Sequence, residues 1–342
     1  MPHLRTPLCD LLGIEHPVML AGMASISGAD LAAAVSNAGG IGSFGGVQMS
    51  PEALRKEIKY TKEQLLPGKP FGVDLLLPQI GGSARKTNKD YTDGTLGELI
   101  DIIIEGGAKL FISAVGVPDR SVVDKFHAAG VVVANMVGAP HHVKKALDVG
   151  VDVIIAQGTE AGGHTGEVAT LPLVPQCVDL VEGHKNFFGS PVLVVAAGAI
   201  YDGRGLAASL CLGAAGVWVG TRFVACEEAN SSPLHRKRIL EASSTDTTRT
   251  VAMTGRPCRL LKTDYVRSWE ERPEELRDLT SQGKIPYLED MKNGKASMTD
   301  FFPALMGQVA GAIKDIKPAK AIVEDMVQEA CLILGKIPLS KL

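Results

Sequence analysis

Short apolar runs alternate with amphipathic segments through the first two thirds of the chain, and most of the amphipathic segments end at glycine. Short runs rich in valine, isoleucine and leucine are typical of buried strands, whereas helical spacing that ends at glycine indicates helices. The predicted strands are residues 17–20, 41–44, 71–77, 110–115, 131–137, 153–156, 191–197 and 216–224. The predicted helices are residues 29–38, 53–66, 96–105, 121–129, 142–149, 173–181 and 205–212. Eight nearly all-apolar strands that alternate with helices predict an α/β fold, a closed parallel (β/α)8 TIM barrel.

This alternation stops after about Asn230, where charged segments and a threonine-rich stretch begin. The sequence therefore predicts a barrel over residues 1–229 and a C-terminal helical addition over residues 230–342. A final helix over residues 320–334 is expected to pack back on the barrel wall. The polar, glycine-containing segment 78–95 is predicted to form a long loop over one mouth of the barrel.

The composition of the chain limits the kinds of molecule that it is expected to bind. Hydrophobic residues make up 45% of the chain, and 35 basic against 38 acidic side chains give a net charge of -3. Without a basic patch, neither nucleic acid nor a membrane surface is an expected partner, and a small molecule is the better expectation. The six cysteines are far apart and form no C-x-x-C pair, so neither a metal site nor a disulfide framework is expected.

The stretch that carries most chemical information follows the apolar run 153–156. It reads Gln-Gly-Thr-Glu-Ala-Gly-Gly-His-Thr-Gly over residues 157–166. Its glycines allow tight turns and close approach to a ligand, while Gln157, Glu160 and His164 offer amide, carboxylate and imidazole groups. Two structural interpretations remain open beside the functional one. The stretch could be a glycine-rich surface loop with an incidental histidine, and Glu160 could cap or brace the loop without taking part in chemistry.

Active sites of such barrels form at the carboxyl ends of the strands. These ends include residues 21–23, Asp74, Gln157, Gly198 and residues 220–221. Loops after the seventh and eighth strands commonly bind a phosphate through backbone N–H groups, and Gly198, Gly220 and Thr221 fit that role. Residues 40–45 match G-x-G-x-x-G, but they follow a helix and contain a strand, which is the wrong context for a dinucleotide fingerprint.

Five motifs together resemble the nitronate monooxygenase family, formerly the 2-nitropropane dioxygenases. They are residues 19–23, 37–42, 157–166, 196–203 and 220–223, in the family's order, and the E-A-G-G-H-x-G core at 160–166 is the specific one. The resemblance implies an FMN-bearing TIM barrel that oxidises alkyl nitronates, or nitroalkanes, with dioxygen to a carbonyl compound and nitrite. It implies that His164 is catalytic, as a base of near-neutral pKa or as a hydrogen-bond donor. The implied cofactor-binding residues are Ala21, Gly22, Met23, Asp74, Gln157, Gly162, Gly163, Gly198, Gly220 and Thr221.

The same core occurs in flavin-dependent enoyl-acyl-carrier-protein reductases. An NAD(P)H-dependent reductase of enoyl thioesters or quinones is therefore one alternative, and a noncatalytic flavin-binding protein is another. Asp74 departs from both families, which usually carry asparagine in this strand. It is expected either to accept a hydrogen bond from a flavin N–H, or to be protonated or turned aside.

The last three residues, Ser-Lys-Leu at 340–342, match a peroxisomal address. In a eukaryotic cell they predict recognition by the peroxisomal import receptor and a peroxisomal location. In any other cell the expected location is cytoplasmic.

Overall fold

A computed structural model describes residues 4–336 of the chain. Eight of its strands form one parallel sheet in the order β1-β9-β8-β6-β5-β4-β3-β2. A bridge between Met19 and Ile41 joins the two ends, so the sheet closes into the predicted barrel. The strands are β1 (Val18–Leu20), β2 (Gly42–Gly45), β3 (Phe71–Leu76), β4 (Leu110–Ala114), β5 (Val132–Val137), β6 (Val153–Gln157), β7 (Gly163–His164), β8 (Leu193–Ala197), β9 (Gly216–Val219), β10 (Thr247–Thr250) and β11 (Cys258–Leu261).

Fourteen α-helices and four short 3₁₀ helices accompany the strands in the described part of the chain. The α-helices are α1 (Pro7–Leu12), α2 (Ala29–Asn37), α3 (Pro51–Gln64), α4 (Leu96–Gly106), α5 (Arg120–Ala128), α6 (Val143–Asp148), α7 (Thr170–Val181), α8 (Gly203–Cys211), α9 (Thr221–Val224), α10 (Pro233–Glu241), α11 (Asp264–Glu270), α12 (Pro273–Ser281), α13 (Pro286–Lys292) and α14 (Ala319–Lys336). The 3₁₀ helices are Pro140–His142, Met298–Asp300, Phe302–Ala304 and Gln308–Ala312.

The eighth barrel strand is shorter than predicted. It ends at Val219, and the apolar residues that continue the run form α9. Gly220 breaks the extended conformation, and its carbonyl accepts the N–H groups of Phe223 and Val224 at 2.8 and 3.2 Å. The prediction of strand through residue 224 was wrong because an unbroken apolar run does not distinguish a strand from a buried helical turn.

Side chains alternate between two cores along each barrel strand, as the period of a strand requires. In β6, Val153 and Ile155 pack inside the barrel, whereas Ile154 and Ala156 pack against the surrounding helices. Helix α1 adds Leu8 and other apolar side chains to the interior cluster, so the barrel centre is a packed core and not a pore.

The glycines of the G-x-G-x-x-G match serve packing. A Cβ atom on Gly42 would lie 1.8 Å from the carbonyl oxygen of Ala32 in α2, and one on Gly45 would lie 2.5 Å from the backbone nitrogen of Ala24. These positions require glycine because backbone segments cross them at close range. This accounts for the match without a dinucleotide.

Residues after 230 contain strands as well as helices. Strands β10 and β11 form an antiparallel pair, and β11 also pairs with β7 from the central glycine-rich stretch. A separate apolar cluster around Trp269 and Leu260 stabilises this region, while α14 packs on α8 and α2 of the barrel. The proposed division at residue 230 stays a prediction.

Within residues 4–336, no helix combines the length and apolar character that a membrane span requires. The tripeptide at 340–342 lies outside the described residues, so the peroxisomal expectation stays a prediction.

Candidate active site

A cavity of about 1910 Å³ opens at the carboxyl ends of the barrel strands. Segment 78–95 contributes to its wall, in the position predicted for a loop over the barrel mouth. The sequence-predicted site residues all line this one cavity: Ala21, Gly22, Met23, Asp74, Gln157, Gly162, Gly163, His164, Gly198, Gly220 and Thr221. The fold therefore brings together residues that are up to 200 positions apart; their individual roles stay predictions.

His164 is positioned by the small sheet. It pairs with Cys258 of β11, and its Nε2 lies 3.0 Å from the hydroxyl oxygen of Thr254. Burial, with a smaller contribution from the nearby positive charge of Arg256, lowers the pKa of His164 to about 4. This pKa lies well below the near-neutral value expected from the sequence and favours the neutral imidazole at pH 7.

Glu160 braces the loop. Its carboxylate accepts hydrogen bonds from the backbone N–H of Thr170, at 3.0 Å, and from the Thr170 hydroxyl, also at 3.0 Å. These bonds satisfy donors at the first turn of α7. Gly158 lies so close that a Cβ there would be 2.0 Å from the Thr170 hydroxyl. Of the alternatives for Glu160, the geometry favours the brace.

Two buried polar groups at the cavity wall have oxygen atoms without a hydrogen-bond partner among the described residues. Asp74 is 5% exposed and its Oδ1 has none. Asn135 is fully buried; its amide nitrogen donates to the carbonyls of Ser113 and Gly116, while its Oδ1 has no partner. Burial raises the pKa of Asp74 well above its usual value, which favours the protonated carboxyl.

The loops after β8 and β9 reach the cavity with strained or constrained backbone. Gly198 has φ +94°, and the next residue, Ala199, has φ +59°, in the left-handed region that is unfavourable for alanine. The hydroxyl of Thr221 accepts a hydrogen bond from the N–H of Gly307 at 2.9 Å. Thr221 thus ties the β9 loop to the C-terminal region, so this hydroxyl oxygen already has a protein partner.

Sequence reasoning missed the residues that the C-terminal region contributes. Thr254, Arg256 and Gly307 line the cavity, although residues 230–342 were predicted to be a helical addition. No strand end and no motif marks Thr254 and Arg256 in the sequence. Asn135 lies within the strand predicted over residues 131–137, and nothing in the sequence marked it as a site residue.

The comparisons with known proteins find relatives over almost the whole chain, and the names of these relatives describe different activities. The family model for nitronate monooxygenase matches residues 5–329. The chain is 33% identical to a Mycobacterium tuberculosis protein named (3aS,4S,5R,7aS)-5-hydroxy-7a-methyl-1-oxo-octahydro-1H-indene-4-carboxyl-CoA dehydrogenase, covering 96% of each chain. It is 31% identical to a probable nitronate monooxygenase of Staphylococcus saprophyticus, covering 97% of this chain and 99% of that protein.

A solved structure also matches over almost the whole length. FabK from Thermotoga maritima superposes with a TM-score of 0.81 at 33% identity and covers 98% of both chains. These three proteins are bacterial, and bacteria have no peroxisomes, so the comparisons give no support to the peroxisomal expectation.

Proposed function

Because the chain belongs to the nitronate monooxygenase family, we propose that it oxidises alkyl nitronates with dioxygen, with FMN bound in the barrel cavity. The chain is a flavin-dependent oxidoreductase of this family. The observation that carries the finer proposal is that the imidazole of His164 and the guanidinium of Arg256 line the same cavity, a combination suited to an anionic substrate. In balanced form, two nitronate anions and one dioxygen molecule give two carbonyl compounds and two nitrite ions.

The cavity fits a flavin in its polar groups and in its space. Oδ1 of Asp74 and Oδ1 of Asn135 have no hydrogen-bond partner among the described residues. The protonated carboxyl of Asp74 would offer a donor to the polar edge of the flavin ring, and the amide oxygen of Asn135 would offer an acceptor. Gly22 cannot carry a Cβ, which would lie 2.4 Å from the Cβ of Asp74. Residues 21–23, Gln157, Gly162 and Gly163 would line the ring, while Gly198 and residues 220–221 would hold the phosphate through backbone N–H groups.

The chain's own residues bind and orient the substrate, and bound FMN supplies the electron-transfer chemistry. A neutral imidazole has one N–H, and it is free for the nitronate in the tautomer protonated at Nδ1, in which Nε2 accepts a hydrogen bond from the Thr254 hydroxyl at 3.0 Å. A base whose pKa is about 4 is a poor acceptor for the proton of a neutral nitroalkane. We therefore assign His164 as a hydrogen-bond donor to the nitronate and prefer nitronates to nitroalkanes as substrates.

The cofactor proposal is tested by releasing the chromophore. The purified protein should be yellow, and heat should release a compound that co-elutes with FMN on chromatography. An apoprotein mixed with FMN and FAD in parallel serves as the control for selectivity. Release of FAD, or a colourless protein that binds neither flavin, would contradict the proposal.

The size of the cavity favours a second candidate, a flavin-dependent redox reaction of an enoyl thioester. Small-molecule pockets usually enclose about 300–1000 Å³, and this cavity is almost twice the upper value. The CoA dehydrogenase among the relatives points in the same direction. Rapid anaerobic bleaching of the flavin by NADPH, followed by reoxidation with a 2-enoyl thioester, would favour this candidate over nitronate oxidation.

A further inference from the structure

Arg256 extends from the C-terminal region into the cavity wall. Its Nη1 donates to the Asn88 side-chain oxygen at 2.7 Å, and its Nη2 donates to the carbonyl oxygen of Val115 at 3.0 Å. These bonds hold the guanidinium between the loop over the mouth and the end of β4. They use two of its five N–H donors and leave three for a ligand, counting partners among residues 4–336.

Among the described residues, the guanidinium of Arg256 has no carboxylate partner. No acidic side chain in the described residues lies within 4.0 Å of it, although the group is partly buried. Burial lowers the pKa of Arg256, and the positive charge of Arg85 lowers it further. Arg256 in turn contributes to the lowered pKa values of His164 and His142. A partly buried cation without a counter-ion is less stable than a paired one, and a bound anion would lower that cost.

Three of the acidic side chains at the cavity wall interact with other residues. Asp90 accepts hydrogen bonds from Thr92, and Glu160 accepts those of Thr170. Glu167 lies 3.8 Å from Arg249. The cavity therefore has carboxylates, but none of these compensates Arg256.

The backbone is strained at Val115, where Arg256 makes a hydrogen bond. Val115 has φ +72°, a left-handed conformation that is a genuine outlier for a β-branched residue. Its carbonyl oxygen is the acceptor for Nη2 of Arg256. Strain of this kind persists only where the surroundings enforce it, and it concentrates at ligand-binding positions.

We propose that Arg256 is the anchoring residue for the anionic group of the substrate, a nitronate or carboxylate whose two oxygens match the guanidinium edge, next to His164. This inference rests on the proposed function of the same cavity. It assigns recognition of the anionic group to a side chain from outside the barrel. A planar fork of donors binds a two-oxygen anion better than an ammonium group does.

The test is calorimetric titration of the purified, full-length protein with butanoate, an unreactive two-oxygen anion, and with butanamide, its neutral counterpart. Arg256→Gln should weaken butanoate binding by about tenfold or more and change butanamide binding less than about twofold. Arg256→Lys should weaken butanoate about threefold or more. Arg249→Gln is the matched control: it makes the same change of charge in the same cavity, and it should change butanoate affinity less than about twofold.

Three results would overturn the inference: no butanoate binding to the wild-type protein, unchanged butanoate affinity in Arg256→Gln, or equal losses for both ligands. If Arg256→Gln does not fold, Arg256→Lys decides, and unchanged affinity there overturns it. Nitrite release from a nitronate, assayed separately, distinguishes the two proposals. Arg256-dependent butanoate binding without nitrite release contradicts only the proposed function, whereas nitrite release with Arg256-independent binding contradicts only this inference.

Discussion

Asp74 places a carboxyl group at a position where the family resemblance leads one to expect an amide. The side chain is 5% exposed, and burial raises its pKa well above the usual value. A protonated carboxyl resembles an amide in offering both a donor and an acceptor, although the amide has two N–H donors and the carboxyl one O–H. Of the readings left open by the sequence, the protonated carboxyl is therefore the one that the surroundings favour.

The substitution Asp74→Asn tests this protonation through stability. The pKa of Asp74 is higher in the folded than in the unfolded chain, so between these two pKa values the folded state holds the extra proton and loses stability as pH rises. Asparagine does not titrate. We expect the difference in Tm, variant minus wild type, to grow from pH 4 upward by about 2 °C per pH unit until the folded pKa is reached. A Tm difference that is constant from pH 4 to pH 8, measured by calorimetry, would contradict a protonated Asp74.

The pH dependence of kcat/KM tests the role of His164. Because the imidazole is neutral above about pH 4, kcat/KM for propyl-2-nitronate should not change through protonation of His164 between pH 6 and pH 8. His164→Ala should lower that kcat/KM about 10- to 100-fold, the loss of one hydrogen bond to a charged group, while FMN content stays constant. A wild-type step near pH 6.5 that the variant lacks would instead assign His164 as a base.

The individual elements differ in how far their sequence predicts them. Strands such as β6 and β8 are continuous apolar runs between polar turns, so their existence and their neighbours follow from periodicity. The pairing of β7 with β11 does not, because β7 has two residues and neither strand has a periodic pattern. That pairing depends on tertiary contacts between residues almost one hundred positions apart, yet it positions His164.

The glycines of the site also show that contacts between distant segments cannot be predicted from the sequence. Gly162 is predictable as a flexible position, but its structural reason is the backbone of Met306 and Gly307, 2.7 Å from where a Cβ would be. Gly166 meets Gly138 in the same way, at 2.1 Å from its carbonyl oxygen. The sequence indicates that the backbone comes close to another group at these positions, and only the fold shows that this group is the backbone of a distant segment.

At the scale of the whole molecule, the cavity is assembled from the barrel and from residues after 230. The barrel half of the site follows from the rule that sites form at the carboxyl ends of strands, and the predicted residues all line the cavity. Arg256 and Thr254 belong to a segment without a motif, so their position in the same cavity as His164 could not be predicted. The barrel explains the scaffold and the cofactor expectation, while the region after residue 230 contributes the Arg256 cation to the cavity wall.

The most direct measurement of the central claim is the amount of nitrite and carbonyl product formed from propyl-2-nitronate and dioxygen by the purified protein, with no nicotinamide nucleotide present. The account predicts oxygen consumption together with equal amounts of nitrite and acetone, at rates well above those of free FMN. No nitrite above the free-FMN control, together with NADPH oxidation that depends on a 2-enoyl thioester, would contradict it.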